Sequence, residues 1–210
     1  MAMISVWNGQ SNDAITDCHA VVLCGGAGRR MGARKELLDF NGEPLLFRLC
    51  RSLSNIARQL TVVTDVKREY DFLPREVRVI ADQVADFGPV AGICAGMAAS
   101  SFPLQLVVAC DYPLAGPQVW RALADTLALH PEADAVLPEV GGKLHPLCAL
   151  YRSRTLATWQ AALDGGNKRV MAATERMRIV SWVPEDGATN ALMNMNTPED
   201  YRLAKERLRL

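Results

Sequence analysis

The sequence lacks most of the features that announce a function by composition. It has no net charge: Lys+Arg and Asp+Glu both number 23 in 210 residues. A balanced chain has no global field to draw it to nucleic acid or to an anionic membrane surface, so a site for a charged ligand must be local. Long apolar runs are missing too, and none approaches the ~20 residues needed to span a bilayer. The opening stretch MAMISVWNGQSNDAITD has no basic n-region and is broken by Asn12, Asp13 and Asp17, unlike a secretory signal. There is no linker, internal repeat or low-complexity tract. The six cysteines, Cys18, Cys24, Cys50, Cys94, Cys110 and Cys148, form no Cys-x-x-Cys pair, which argues against structural zinc. Most sit inside apolar runs, which predicts free buried thiols in a reducing compartment rather than a disulfide frame. A cytoplasmic location is the resulting expectation.

What is present is apolar mass and a rhythm. Half of the residues are hydrophobic, enough for a sizeable core, and the length favours one domain. We expect a mobile extension over 1–18 and a single domain over 19–210. Short β-rich runs, AVVLC (20–24), LTVVT (60–64), VRVIA (77–81), LQLVVAC (104–110) and DAVLP (134–138), read as buried strands. Between them, residues 44–56, 89–100 and 117–130 have helical spacing, with Pro44 and Pro117 placed as first-turn residues. Strand and helix in alternation predict a mostly parallel sheet with helices on both faces, a Rossmann-like three-layer α/β/α domain. After residue 140 the spacing predicts strands at 146–151, 178–183 and 191–196. Helices are predicted around 153–163 and 168–176, and a last one capped by Thr197 with Pro198 at its first position. The second half should complete the same sheet beside a cleft at the strands' carboxyl ends.

The stretch AVVLCGGAGRRMGARKELLDFNGEPLL (20–46) carries the first chemical signal. Gly25, Gly26, Gly28 and Gly32 follow the first strand, where N–H groups without neighbouring Cβ atoms can approach an anion. Arg29, Arg30, Arg34 and Lys35 add positive charge. The Walker A spacing is absent. A GxGxxG fingerprint begun at Gly26 would end on Met31, although Asp65 at the end of the second strand suits a ribose-binding acid. From the residues alone a phosphate site, a dinucleotide site and a plain glycine-rich turn with solvated arginines all remain open. Asp111 follows the apolar strand LQLVVAC and is stiffened by Pro113; it reads as a cleft-rim metal ligand or as a turn-forming aspartate.

LCGGAGRRMGARKELLDFNGEPLL resembles the signature of sugar-nucleotide-type nucleotidyltransferases, in particular the molybdenum cofactor guanylyltransferase family. The resemblance extends from about residue 19 to 202 through DFGPVAGICAGM (86–97), ACDYPL (109–114), HPLCALYR (145–152), GGNKRV (165–170) and NMNTPEDY (194–201). It implies a glycosyltransferase-A-like fold and Mg²⁺-dependent transfer of GMP from GTP to the terminal phosphate of molybdopterin, with release of pyrophosphate. It further implies that Leu23, Cys24, Gly25 and Gly26 contact the nucleotide through backbone. Lys35 would reach its phosphates, Asp82 would hold the nucleotide and Asp111 would bind Mg²⁺. Arg30, Gly88, Gly92, Arg169, Asn194 and Asn196 match positions on the pterin side or at the metal; Asn196 is the second metal candidate. Lys35 and Arg29 are the candidates for stabilising charge on the α-phosphate and the departing pyrophosphate. The family often has an asparagine after the second strand; Val66 stands there, so that contact is lost or passes to Thr64 or Asp65. Partners implied are GTP, molybdopterin and the apoenzymes or chaperones that receive the product, with no nucleic acid and no membrane. Other readings are CTP as donor, another phosphorylated acceptor, a non-catalytic cofactor-delivery homologue, or a dehydrogenase.

Overall fold

Alternation of small and branched apolar side chains along the first strand determines the layering. In the computed structural model, which describes residues 17–25, 34–82, 84, 87–185 and 188–208, β1 spans Cys18–Cys24. Successive side chains of a strand face opposite ways. Ala20, Val22 and Cys24 accordingly join one buried cluster with Leu45, Leu49, Trp120 and Ala204. Val21 joins a second with Val90, Ile93, Trp159 and Ala173. The helices that supply those residues are α1 (Leu45–Ser54), α3 (Pro117–Leu129) and α6 (Pro198–Arg207) for the first cluster. For the second they are α2 (Pro89–Ala98), α4 (Leu156–Asp164) and α5 (Val170–Thr174). The result is the expected three layers, α/β/α.

The sheet contains β4 (Gln59–Thr64), β5 (Arg78–Ala81), β6 (Leu104–Ala109), β7 (Ala135–Val140), β9 (Cys148–Arg152) and β10 (Ile179–Trp182) beside β1. Their order is β10-β7-β9-β6-β1-β4-β5. Among these seven, β9 alone runs against its neighbours, pairing antiparallel with β6 and β7; the other pairings are parallel. Two short hairpins, β2–β3 (Asp39–Phe40, Glu43–Pro44) and β7–β8 (Lys143–Leu144), complete the strands. From β1 the chain moves outward through β4 to β5. It then returns to the other side of β1 as β6. That reversal opens a crevice at the carboxyl ends of β1 and β6, where open α/β sheets bind ligands.

Several expectations need correction. The segment 191–196 is not a strand: Thr189–Leu192 form a 3₁₀ turn. The following residues are tied to the crevice by Met195 N–H donating to the Asp111 carbonyl, 2.8 Å. Pro44 caps α1 instead of entering it. The hairpin at 139–144 had no counterpart in the sequence reading. The first strand starts at Cys18, inside the expected extension; residues 1–16 lie outside the described residues. Cys18, Cys50, Cys94 and Cys148 are free and buried, and the sulfurs of Cys24 and Cys110 meet. The parallel register sets Leu23 opposite Ala109, so the next residues are neighbours with Cα atoms 5.7 Å apart, inside the bridging range. An 86-residue separation conceals this in the sequence. No helix among the described residues is long and apolar enough to cross a membrane.

Candidate active site

The crevice is built from five chain segments. β1 delivers Leu23, Cys24 and Gly25, and Cys110 N–H donates to the Leu23 carbonyl, 3.0 Å. β6 delivers Asp111 just past its end. Lys35 opens a 3₁₀ turn, Lys35–Leu37. Asp82 follows β5 and is held by its N–H donating to the Thr64 carbonyl, 2.8 Å. Asn194 and Asn196 precede α6, whose capping box fixes the approach. In that box the Asp200 carboxylate accepts from Asn196 N–H and Thr197 N–H, both at 2.8 Å.

Lys35 and Asn196 meet: Nζ donates to the amide oxygen at 2.8 Å across 161 residues. Asp111 lies within electrostatic reach of the same lysine. Burial pushes its carboxyl above the usual aspartate range, and the Lys35 charge opposes this in part. Four buried side-chain N or O atoms lack a hydrogen-bond partner among the described residues, and two of them are Oδ1 of Asp82 and Oδ1 of Asp111. Leaving a buried carboxylate oxygen unpaired costs free energy. Two such atoms lie at the carboxyl edge of the sheet; the other two, Arg48 Nε and Trp159 Nε1, are on α1 and α4. Burial, and then the neighbouring Asp65, also raise the Asp82 carboxyl above its ordinary value.

An unoccupied oxygen of this kind suits a hard divalent cation, which takes one or two carboxylates and completes its shell with phosphate and water. Asp111 fits. The Asn196 oxygen is engaged by Lys35, so it would join such a shell only by exchanging that partner. Among the described residues no three His, Cys, Asp or Glu side chains cluster as a protein-only metal site.

The acceptor-side residues separate into groups. Asn194 Nδ2 donates to the Tyr112 hydroxyl at 3.4 Å, and that hydroxyl sits 3.1 Å from His145 Nδ1. Tyr112 thereby connects the Asp111 turn to the strand that follows His145. Sequence reasoning gave Tyr112 no role, although a tyrosine directly after a strand-end aspartate was the available signal. Gly88 caps α2 with φ 85°, a left-handed conformation that only glycine adopts cheaply. Arg169 is exposed at the start of α5, its N–H donating to Asn167 Oδ1 at 3.0 Å. The two loops approach through Lys168 Nζ, 5.5 Å from the Phe87 ring centre. Gly92 is different. It is buried in α2, where a Cβ would lie 3.2 Å from Leu23 Cδ2. Its place is close helix–sheet packing, not the crevice surface. Gly26, Arg29 and Arg30 lie outside the described residues.

At the departure after β4, Thr64 is buried and its hydroxyl serves the carbonyls of Val66 (2.7 Å) and Ile80 (3.1 Å). Asp65 is exposed and touches the glycine loop: a Cβ on Gly25 would stand 3.1 Å from Asp65 N and 3.2 Å from its Cβ. Of the two substitutes for the family asparagine, Asp65 is the one facing out.

The mostly parallel sheet, its switch-point crevice and the pairing of Lys35 with a strand-end aspartate occur here in a nucleotidyltransferase. The chain belongs to the family of the MobA-like NTP transferase domain, whose signature matches residues 20–178. It is 31% identical over 196 residues to a probable molybdenum cofactor guanylyltransferase of Chloroflexus aggregans, covering 88% of this chain and 92% of that one. It is 30% identical over 189 residues to the molybdenum cofactor guanylyltransferase of Pseudomonas putida, covering 89% and 97%. Among solved structures it resembles molybdopterin-guanine dinucleotide biosynthesis protein A of Archaeoglobus fulgidus, with TM-score 0.76, 26% identity, and coverage of 91% and 98%.

Proposed function

We propose that this enzyme transfers GMP from GTP to the terminal phosphate of molybdopterin and releases pyrophosphate, with Mg²⁺ as counter-ion. The observation that carries the reading is the buried, unpaired Oδ1 of Asp111 beside Lys35 at the switch point, in a chain about 30% identical to named guanylyltransferases over nearly nine tenths of its length.

The transfer joins two anions. An oxygen of the acceptor phosphate bonds to the α-phosphorus of the triphosphate, and the bond from that phosphorus to the pyrophosphate oxygen breaks. Positioning and charge neutralisation carry such a reaction. The backbone of Leu23, Cys24 and Gly25 borders the nucleotide. Lys35 supplies positive charge to the α-phosphate and the departing pyrophosphate, and Asn196 holds its ammonium group at the crevice. Arg29, in the glycine loop, shares this task. Asp111 would hold a divalent cation, whose contribution is further neutralisation of the phosphates. Asn194, steadied by Tyr112, and Arg169, next to the Lys168 that reaches Phe87, receive the acceptor. No general base is needed, because the attacking phosphate is already ionised.

Asp82 gives the nucleotide side a carboxylate, and Asp65 a second one paired with Arg68 at 2.9 Å. Guanine offers two donors and one acceptor on its pairing edge, whereas cytosine offers one donor and two acceptors that a carboxylate repels. This favours GTP over CTP. Pyrophosphate release with each of the four nucleoside triphosphates, with and without molybdopterin, tests the reading. GTP turnover that depends on molybdopterin is expected; a CTP preference overturns the donor assignment, and release with neither triphosphate overturns the reaction. The enzyme acts in the cytoplasm on this reading and hands its product to apoenzymes or their chaperones.

A further inference from the structure

Lys35 stands on a single 3₁₀ turn, too short to hold a direction by its own hydrogen bonds. The turn has three residues, Lys35–Leu37, with Leu37 N–H and Leu38 N–H donating to the carbonyls of Arg34 and Lys35 at 3.1 Å each. Three residues per turn place adjacent side chains about 120° apart. Whatever fixes the roll of the turn through Glu36 therefore fixes where Lys35 points.

Glu36 is anchored on the side away from Asn196. It is 8% exposed, unusual for a glutamate. Its Oε1 accepts from Arg34 Nε at 2.8 Å and from the Tyr70 hydroxyl at 3.3 Å. Arg34 Nη2 donates to the same hydroxyl at 3.1 Å, and its guanidinium lies 5.5 Å from the Tyr70 ring centre. Tyr70 is 8% exposed and packs in tilted contact with Phe72. It belongs to the excursion between β4 and β5, so its position does not depend on the glycine loop. The residues on both sides of Lys35 are thus clamped to one buried tyrosine.

We infer that Glu36 and Tyr70 are positioning residues for Lys35, clamping its turn to the β4–β5 excursion so that the ammonium group projects to Asn196 and the triphosphate. This rests on the phosphate-binding role proposed for Lys35. Tyr70 would then act on the nucleotide's phosphates without touching them. The arginine completes a closed three-way contact, in which loss of one member removes two of the three bonds.

The test is the dissociation constant of the full-length protein for GTP with Mg²⁺, for Glu36→Gln and Tyr70→Phe, each in the wild type and in Lys35→Ala. Tyr70→Phe removes only a hydroxyl and keeps the buried ring, so it remains informative if Glu36→Gln folds poorly. In the wild-type background we expect binding to weaken about tenfold for Glu36→Gln and about threefold for Tyr70→Phe. In the Lys35→Ala background each should change it by less than about 1.5-fold, because groups acting through one residue are not additive. Equal losses in both backgrounds would make the contact merely structural, and no loss in the wild type would remove it from the site; either outcome overturns the inference. If the wild type itself binds no GTP, the proposed donor fails first, and the same cycle is run with whichever triphosphate supports pyrophosphate release.

Discussion

The two ends of strands β1 and β6 bury polar groups in opposite ways. At the amino ends His19 is fully buried, with Nδ1 2.8 Å from Gln105 Oε1 and Nε2 2.8 Å from Thr61 Oγ1. Gln105 Nε2 in turn donates to the Phe102 carbonyl at 2.8 Å. Past the carboxyl ends of β6 and β5, Asp111 and Asp82 each keep a buried oxygen with no partner among the described residues. One end closes its hydrogen-bond network from within. The other leaves it open, and an open network at a switch point is what a ligand completes. Burial of polar atoms therefore says little by itself; an unpaired oxygen points to a site through its place at the switch point, since Arg48 Nε and Trp159 Nε1 are also buried without a partner among the described residues.

The largest expected break falls at the open end. Asp111→Ala or Lys35→Ala should lower pyrophosphate release by a factor on the order of 10² to 10³, with the melting temperature maintained. Near-wild-type turnover in either variant removes its assigned role. His19→Ala should do the reverse. It strands two buried partners and should cost about 2–4 kcal/mol in urea unfolding, while GTP turnover of the folded protein is unchanged.

Asp111→Asn should stabilise the ligand-free protein by roughly 1 kcal/mol, a melting shift of about 2–4 °C at this size. The two ends also respond to pH with opposite sign. Burial depresses the His19 pKa, with the Arg78 charge assisting and the Gln105 contact opposing. The unfolded chain then takes up a proton first, and stability is lost as pH falls below the ordinary histidine value near 6.5. Asp111 is raised, so its contribution is present at low pH and is lost as pH rises above the ordinary carboxylate value, near 3.9. Urea unfolding at several pH values should show the acid-side loss shrink in His19→Ala and the alkaline-side loss shrink in Asp111→Asn. A common profile for all three proteins contradicts the contrast. A further effect concerns metal. Mg²⁺ at tenfold its dissociation constant, with GTP present, should add about 1.4 kcal/mol to the wild type and much less to Asp111→Asn in a thermal melt.

Much of the fold was legible because its signals are local. β1, β4, β6, α2 and α3 each carry an apolar run or a helical period of their own, and the Thr197 cap is stated by Thr-Pro-Glu-Asp itself. Residues 191–196 misled, because ALMNMN has strand-like alternation, yet Met195 bonds to the Asp111 turn and not to a strand. Lys35 and Asp111 were readable from loop composition and a strand end. Gly92 was readable only as part of a motif, and its burial within α2 against Leu23 reassigns it to packing. Glu36 and Tyr70 were invisible, since nothing in a sequence tells a buried glutamate from a solvated one until its partner 34 residues away is placed.

By itself the sequence determined the alternating strands and helices, the glycine-and-cation loop after β1 and the acid after β6, because periodicity, turn chemistry and charge are properties of neighbouring residues. The tertiary structure alone decided the order in which the strands lie, and with it the switch point. It brought Lys35 to Asn196 and Cys24 to Cys110, and it left two aspartate oxygens unsatisfied among the described residues while pairing both ring nitrogens of His19. Those outcomes depend on which distant residues share a desolvated space, and desolvation is set by packing.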